Sequence, residues 1–277
     1  MGLIMLAVIV AAIGFAMQWF ASAGTVSDRD VAWLAENEAP TEQEAEVYRS
    51  YLRRHRKHRL TGGFFGAFFA AVVGIRLNQS ITIGIGEAGT PLADVWFCAL
   101  AGAIVGALSA ESFRLSEPRS DSIAASLADR EIEVDERIVV AARAIAALTV
   151  LIGVFAAVSG WGFDALAISV GAVVLTGVSE QTRSATRNRR RPLLSDDAKV
   201  VDIHIRSFAT RSVALLQLSA ALLATVWALS KLPDGDSLEL AAIQAIFSFS
   251  FLAASLYTLW LARPHPPRRW TPEVATA

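Results

Sequence analysis

Gly102–Arg114, GAIVGALSAESFR, decides the fold of this chain because it recurs as Gly171–Arg183, GAVVLTGVSEQTR. Each copy is an apolar segment that ends in a Glu-x-x-Arg motif and is followed by a charged connector. After each connector an arginine, Arg143 or Arg211, enters the next apolar segment. The repeat therefore predicts a chain built from similar helical hairpins.

The composition indicates a lipid environment for these hairpins. The chain has 277 residues, of which 54% are hydrophobic and 18% charged, and its mean hydropathy is +0.45. The apolar residues form uninterrupted runs that approach the ~20 residues a helix needs to cross a bilayer. Helices are favoured because lipid offers backbone amides no other partner. The single cysteine, Cys98, excludes an intrachain disulfide and a cysteine metal cluster.

We predict an all-α integral membrane protein with seven transmembrane helices, arranged as one leading helix plus three repeated helical hairpins. The helices are expected at residues 2–22, 60–76, 92–111, 138–158, 163–179, 212–230 and 238–262. They form a single polytopic domain over residues 1–262, followed by a flexible cytoplasmic tail at 263–277. A cleaved signal peptide is the alternative for residues 1–23, but the basic segment that normally begins such a peptide is missing.

The distribution of basic residues predicts the orientation. Of the 25 lysines and arginines, 22 fall in the connectors or in the tail, which all lie on one side of the bilayer in this arrangement. The connectors are 24–59, 112–137 and 181–211. The positive-inside rule places that side in the cytoplasm, with the N-terminus outside and the C-terminus inside. We therefore predict a multi-pass protein of the cell membrane, and the excess of arginine over lysine suggests a bacterial source with a GC-rich genome.

The sequence is compatible with either strand or helix in parts of two connectors. Residues 121–137 and 195–210 contain short alternating runs, which are typical of strands. The alternative, which we favour, is a helix that runs directly into the membrane. Earlier in the chain, Thr41 and Glu44 form a capping-box pattern that predicts a helix start.

The Glu-x-x-Arg motifs are the main candidate functional sites. A glutamate at a helix C-terminus opposes the helix dipole, and an arginine three residues later can compensate for it. Glu111 with Arg114, and Glu180 with Arg183, therefore form either a cytoplasmic gate or a contact for a partner protein. The simpler interpretation is a pair of salt bridges at the membrane boundary that set the depth of the helices.

Other charged residues suggest contacts with the membrane. Arg76 becomes an intramembrane charge if its helix continues through residues 81–83; otherwise its side chain reaches the outer surface from a helix end. The basic run at the start of the third connector predicts contact with anionic lipid head groups rather than with nucleic acid. That run comprises Arg187, Arg189, Arg190 and Arg191.

The sequence points away from catalysis. It contains no HExxH, P-loop, GxSxG or CxxC pattern, and the four histidines lie in arginine-rich or tail segments, so neither a metal nor a cofactor is expected. We predict a non-enzymatic subunit, scaffold or assembly factor of a membrane complex, with a protein partner or a second copy of the chain. A small-solute permease or passive channel is the alternative, and a membrane-embedded enzyme is the second. A polar cavity lined by Thr176, Gln217, Gln244 and Ser248 would favour the permease.

Overall fold

The protein is helical throughout the part of the chain that a computed structural model describes. That part comprises residues 25–36, 39–76, 91–111, 136–188, 196–233, 238–267 and 269–270, and it contains no strand. Its helices are α1 (Asp28–Leu34), α2 (Glu42–Arg76), α3 (Pro91–Ala110), α4 (Glu136–Val158), α5 (Asp164–Asn188), α6 (Asp196–Leu229) and α7 (Leu238–Leu261). The all-α prediction is confirmed for these residues. The predicted leading helix at 2–22 lies outside them.

Four of the helices are long and apolar enough to cross a membrane. They are Glu136–Val158, Asp164–Asn188, Lys199–Leu229 and Glu239–Leu261. The stretch Asp94–Ala110 in α3 is apolar but shorter. This result supports the prediction of a membrane protein, whereas seven spans and their orientation stay predictions.

Helix α6 forms the centre of the bundle. In its apolar window 83% of the residues are buried, against 28% in α4, 22% in α5 and 6% in α7. Helices α3, α4, α5 and α7 all pack against it. The surrounding helices instead expose large apolar side chains, including Phe155, Val158, Phe247 and Phe249. An exposed apolar surface of this size is unfavourable in water, but it is favourable in contact with lipid.

Close packing of glycines joins α2 to α3. A side chain at Gly62 would collide with the backbone carbonyl of Gly102, and one at Gly66 with the carbonyl of Cys98. A side chain at Gly106 would collide with the carbonyl of His58. Small residues permit this approach, which helices in lipid use to gain van der Waals contact. The face of α2 that carries Gly62 and Gly66 is therefore the face that meets α3.

Two helices extend well beyond their apolar parts. Helix α2 begins at the predicted capping box, where the Thr41 amide and hydroxyl donate to Glu44 at 2.7 and 2.8 Å, and it continues without a break to Arg76. The predicted span 60–76 is thus the second half of a longer helix. Helix α6 likewise starts at Asp196, so residues 196–210 are helical and the strand alternative is wrong for them. Residues 112–135, which include most of the connector at 121–137, lie outside the described residues.

These extensions and α1 share a hydrophobic core, and we call this part of the protein the helical base. It consists of α1, residues 42–59 of α2 and residues 196–210 of α6. Its core contains Val31, Leu34, Tyr48, Leu52, Val201 and Ile205. The base adjoins the end of the bundle that carries Arg59, Arg143 and Arg211, which we call the basic end. These residues belong to the predicted connectors 24–59 and 181–211. In the structure they are helical and pack into a common core.

The beginning of the predicted flexible tail is also packed. Ala262 and Pro264 are buried, and Arg56 Nη2 donates to the carbonyl of Pro264 at 3.0 Å. Arg29 Nη2 donates to the carbonyl of Trp270 at 2.6 Å. The carbonyls of Pro264, Pro267 and Trp270 therefore contact arginines of the helical base, whereas residues 271–277 lie outside the described residues.

Candidate functional site

The repeated glutamates lie at the basic end, and Glu180 is held there by three donors. Arg143 Nε lies 2.8 Å from Glu180 Oε1, Arg183 Nη2 lies 2.5 Å from Oε2, and Gln217 Nε2 lies 3.0 Å from Oε1. The predicted pair of Glu180 with Arg183 is present. The additional donors come from α4 and α6, so the carboxylate of Glu180 joins three helices.

Glu180 does not lie at a helix C-terminus, so it does not oppose the helix dipole. Helix α5 was predicted to end at residue 179, but it continues to Asn188. Glu180 is therefore two turns from the helix end, beyond the reach of the terminal dipole. Its place is explained instead by the basic side chains that surround it.

Glu111, the equivalent residue in the first hairpin, has a different environment. It follows the last residue of α3 and is 4% exposed. Tyr51 Oη donates to its two oxygens at 3.1 and 3.0 Å, and His55 Nε2 lies 3.0 Å from Oε1. Its predicted partner, Arg114, lies outside the described residues. Glu111 thus connects α3 to the extension of α2.

Tyr51, His55 and Arg59 form one polar face of α2 opposite Glu111. They follow one another at intervals of four residues, which places them on one side of a helix. Burial lowers the pKa of Arg59 to about 10, and the carboxylate of Glu111 opposes that shift. The sequence alone does not predict this cluster. The interval of four residues was the only signal, because the glutamate is more than fifty positions away along the chain.

His55 is neutral in this environment. Burial lowers its pKa below the usual 6.5, and the hydrogen bond and charge of Glu111 only partly counteract that effect. In the neutral ring Nε2 carries the hydrogen and donates a hydrogen bond to Glu111 Oε1. Nδ1 is buried and has no hydrogen-bond partner among the described residues. His55 and Tyr51 also pack edge-on against the ring of Phe208 from α6.

The remaining charged candidates are only partly described. Arg76 is the last residue of α2, and its side chain lies outside the described residues, as do residues 81–83. Arg187 is exposed in the last turn of α5. The rest of the basic run, Arg189 to Arg191, lies outside the described residues.

Two of the four polar residues proposed to line a permease cavity, Gln217 and Gln244, form hydrogen bonds within the bundle. Gln217 is fully buried and donates to Glu180, and Gln244 Nε2 donates to the carbonyl of Leu229 at 3.0 Å. A cavity of about 140 Å³ is present at the basic end, but neither these glutamines nor Thr176 and Ser248 line it. Within the described residues, no group of three or more histidines, cysteines and acids is placed to hold a metal ion.

Comparison with protein-family models finds no match to this chain, and comparisons with curated proteins and with solved structures find none either. The function must therefore be argued from the geometry alone.

Proposed function

We propose that this protein is a non-catalytic subunit, scaffold or assembly factor of a membrane complex, held in the cell membrane with its basic end in the cytoplasm. The observation that carries the proposal is the burial of α6 at the centre of the bundle. Packed side chains occupy the position where a permease would have its pathway. The outer helices present apolar faces to their surroundings, as expected for a protein that acts through its surface.

Polar groups within the bundle support this function because they bond to one another. The hydroxyls of Thr149 and Thr225 share a hydrogen bond of 2.7 Å between α4 and α6. Ser219 and Ser255 each donate to the other's carbonyl at 2.9 Å, which ties α6 to α7. Hydrogen bonds of this kind hold helices together in lipid. The hydroxyl groups are therefore bonded within the bundle instead of being available to bind a transported solute.

Helix α7 provides the face on which a partner would pack. Only 6% of its apolar window is buried, and Ile246, Phe247, Phe249 and Tyr257 are exposed. A partner helix or a second copy of the chain would cover this face, and lipid covers it otherwise.

Photo-crosslinking in intact membranes tests the partner directly. A photoreactive residue replaces Phe249, which is 72% exposed, and Leu216, which is fully buried, serves as the matched control. We expect Phe249 to crosslink to one discrete protein species while Leu216 does not. Purification in mild detergent should recover the same species in a fixed ratio. Crosslinks to lipid alone, together with recovery of a lone monomer, would contradict the proposal.

Transport measurements separate this function from the permease. We expect proteoliposomes that contain the purified protein to show the same solute flux as empty liposomes. Flux that depends on the protein, and that changes on Gln217→Leu, would favour the channel.

The proposed orientation has its own test. Seven spans place the third connector in the cytoplasm and residues 81–90 outside the cell. Fluorescent-protein fusions within residues 189–195 should therefore be fluorescent, and alkaline-phosphatase fusions within residues 81–90 should be active. The opposite pattern would reverse the orientation and remove the cytoplasmic assignment of the basic end.

A further inference from the structure

The described part of the chain begins at Thr25, and that residue is bonded to α2. Arg56 Nη1 donates to the carbonyl of Thr25. Arg56 Nη2 lies 2.9 Å from Asp30 Oδ1, so the same guanidinium also contacts the first turn of α1. Arg56 and Asp30 are both buried. The backbone just before α1 therefore lies beside the face of α2 that carries Arg56, one turn from Arg59 and the basic end of the bundle.

The predicted leading helix, residues 2–22, ends close to this point along the chain. Only residues 23 and 24 separate it from Thr25. The three steps from residue 22 to Thr25 span at most about 10 Å, which is about the distance between the axes of packed helices. Residues 2–22 contain no charged side chain, and as a helix they would be about 30 Å long, enough to cross the hydrocarbon core. Such a helix would enter the bilayer beside the apolar half of α2.

The period of the α-helix identifies the face of α2 that the leading helix would meet. Residues four, seven and eleven positions after Arg56 lie on the same side of α2 as Arg56 itself. They are Leu60, Gly63 and Ala67, which are all partly exposed, and we call this side the Arg56 face. It adjoins the glycines that pack against α3. Glycine and alanine at two of its three positions allow another helix to approach closely in lipid.

We propose that residues 2–22 form a retained membrane helix that packs against the Arg56 face of α2. The segment is then part of the folded protein instead of a signal peptide that is removed. Its own small residues recur at intervals of four and three positions and supply a matching face: Ala7, Ala11 and Gly14. The docking surface lies on α2, whereas the partner face proposed above lies on α7, so the two proposals can fail independently.

Disulfide crosslinking of the full chain in intact membranes tests this packing. Cys98→Ser removes the only native cysteine, and one new cysteine is then placed in each of the two helices. Ala67 lies about 17 Å along α2 from Arg56. The same rise from Thr25 reaches residues 14–17, whether the connection to the leading helix is helical or extended. Four successive positions cover every side of a helix, so we expect at least one of them to form a disulfide with Ala67→Cys on oxidation.

Phe65→Cys is the matched control for Ala67→Cys. Phe65 is exposed and lies two positions earlier, on the opposite side of a helix that is about 10 Å across. It should form no disulfide with any of the four positions, because a disulfide requires Cα atoms within about 7 Å. Co-expression of two chains that each carry one of the cysteines tests a second copy as the occupant, and it should give no crosslinked dimer. Peptide mass spectrometry before and after reduction identifies each disulfide and shows whether residues 2–22 are present.

Four results would overturn the proposal. Equal crosslinking of Phe65→Cys and Ala67→Cys would show that the leading helix does not prefer the Arg56 face. No disulfide at either position would show that the segment lies elsewhere. A disulfide that forms only between co-expressed chains would assign the face to a second copy of the protein. Absence of residues 2–22 from the purified chain would identify them as a cleaved signal peptide.

Discussion

The first and second hairpins carry the same Glu-x-x-Arg motif, yet the structure places its glutamates in different surroundings. The side chain of Glu180 is 27% exposed and is held by two arginines and a glutamine. The side chain of Glu111 is 2% exposed and has a tyrosine and a histidine as donors. The difference arises because α2 continues into the helical base and covers Glu111, whereas α4 leaves Glu180 at the surface of the bundle. The same sequence motif therefore does not determine how deeply its glutamate is buried.

Replacing the buried glutamate should have the largest effect. Glu111→Ala removes the acceptor of Tyr51 and His55 and the carboxylate that faces buried Arg59, which typically costs about 3–5 kcal/mol. Glu180→Ala removes a partly exposed carboxylate, where solvent screening limits the cost to about 1 kcal/mol. Thermal unfolding in detergent should show a clearly larger fall in midpoint for Glu111→Ala.

Glu111→Gln refines that comparison. The amide oxygen can still accept from Tyr51 or from His55, so the loss should be smaller than in Glu111→Ala. Equal destabilisation by Glu111→Ala and Glu180→Ala would mean that burial does not distinguish the two sites.

A second pair of equivalent positions tests the packing of the hairpins. Gly102 in α3 and Gly171 in α5 occupy the same place in the repeat. A side chain at Gly102 would collide with the backbone of Gly62, while one at Gly171 would meet nothing within 4 Å. Gly102→Ala should therefore cost about 1–3 kcal/mol through overpacking.

Gly171→Ala is the control for that substitution. It should be neutral or should stabilise α5 by about 0.5–1 kcal/mol, because alanine is the better helix former. The measurement is again the unfolding midpoint, combined with the yield of protein from membranes. A tolerated Gly102→Ala would show that α2 and α3 do not approach as closely as described.

Patterns that are local in sequence predicted much of this fold. The apolar runs predicted α4, α7 and the apolar parts of α3 and α6. In the short turn after α4, Gly160 and Gly162 adopt positive φ angles of 75° and 103°, which glycine tolerates best. The capping box at Thr41 marked the start of α2. Each of these features depends on a few neighbouring residues.

Which helix is central could not be predicted from hydropathy. Helix α4 is the more apolar, yet α6 is the buried one. In lipid the outer faces of helices are as apolar as their inner faces, so hydrophobicity does not separate inside from outside. The donors to Glu111 were missed for a related reason: Tyr51 and His55 are distant in sequence, and only the packing of the helical base brings them to the carboxylate.

The pH dependence of stability should show the smallest effect, and it depends on His55. Its folded pKa is lowered by burial from 6.5, while Glu111 opposes that shift and Arg59 and His58 add to it. The unfolded chain therefore binds a proton more readily than the folded one, so the contribution of neutral His55 is complete above about pH 6.5 and declines as the pH falls. The slope cannot exceed about 1.4 kcal/mol per pH unit for one group.

His55→Gln should remove this part of the pH dependence. The unfolding midpoint temperature of the wild type should decrease as the pH is lowered from about 6.5 to about 5.5, below the unfolded pKa of His55, and that of the variant should decrease less. His58→Gln is the matched control, since that ring lies one turn away, is more exposed and bonds to Ser109 instead of Glu111. Partial burial and the charge of Arg54 also lower the pKa of His58, so this variant should flatten the profile as well, but less than His55→Gln does. If the two variants flatten the profile equally, the pH dependence is a property of the basic surface of α2. If His55→Gln flattens it more, the buried contact with Glu111 is what separates the first hairpin from the second.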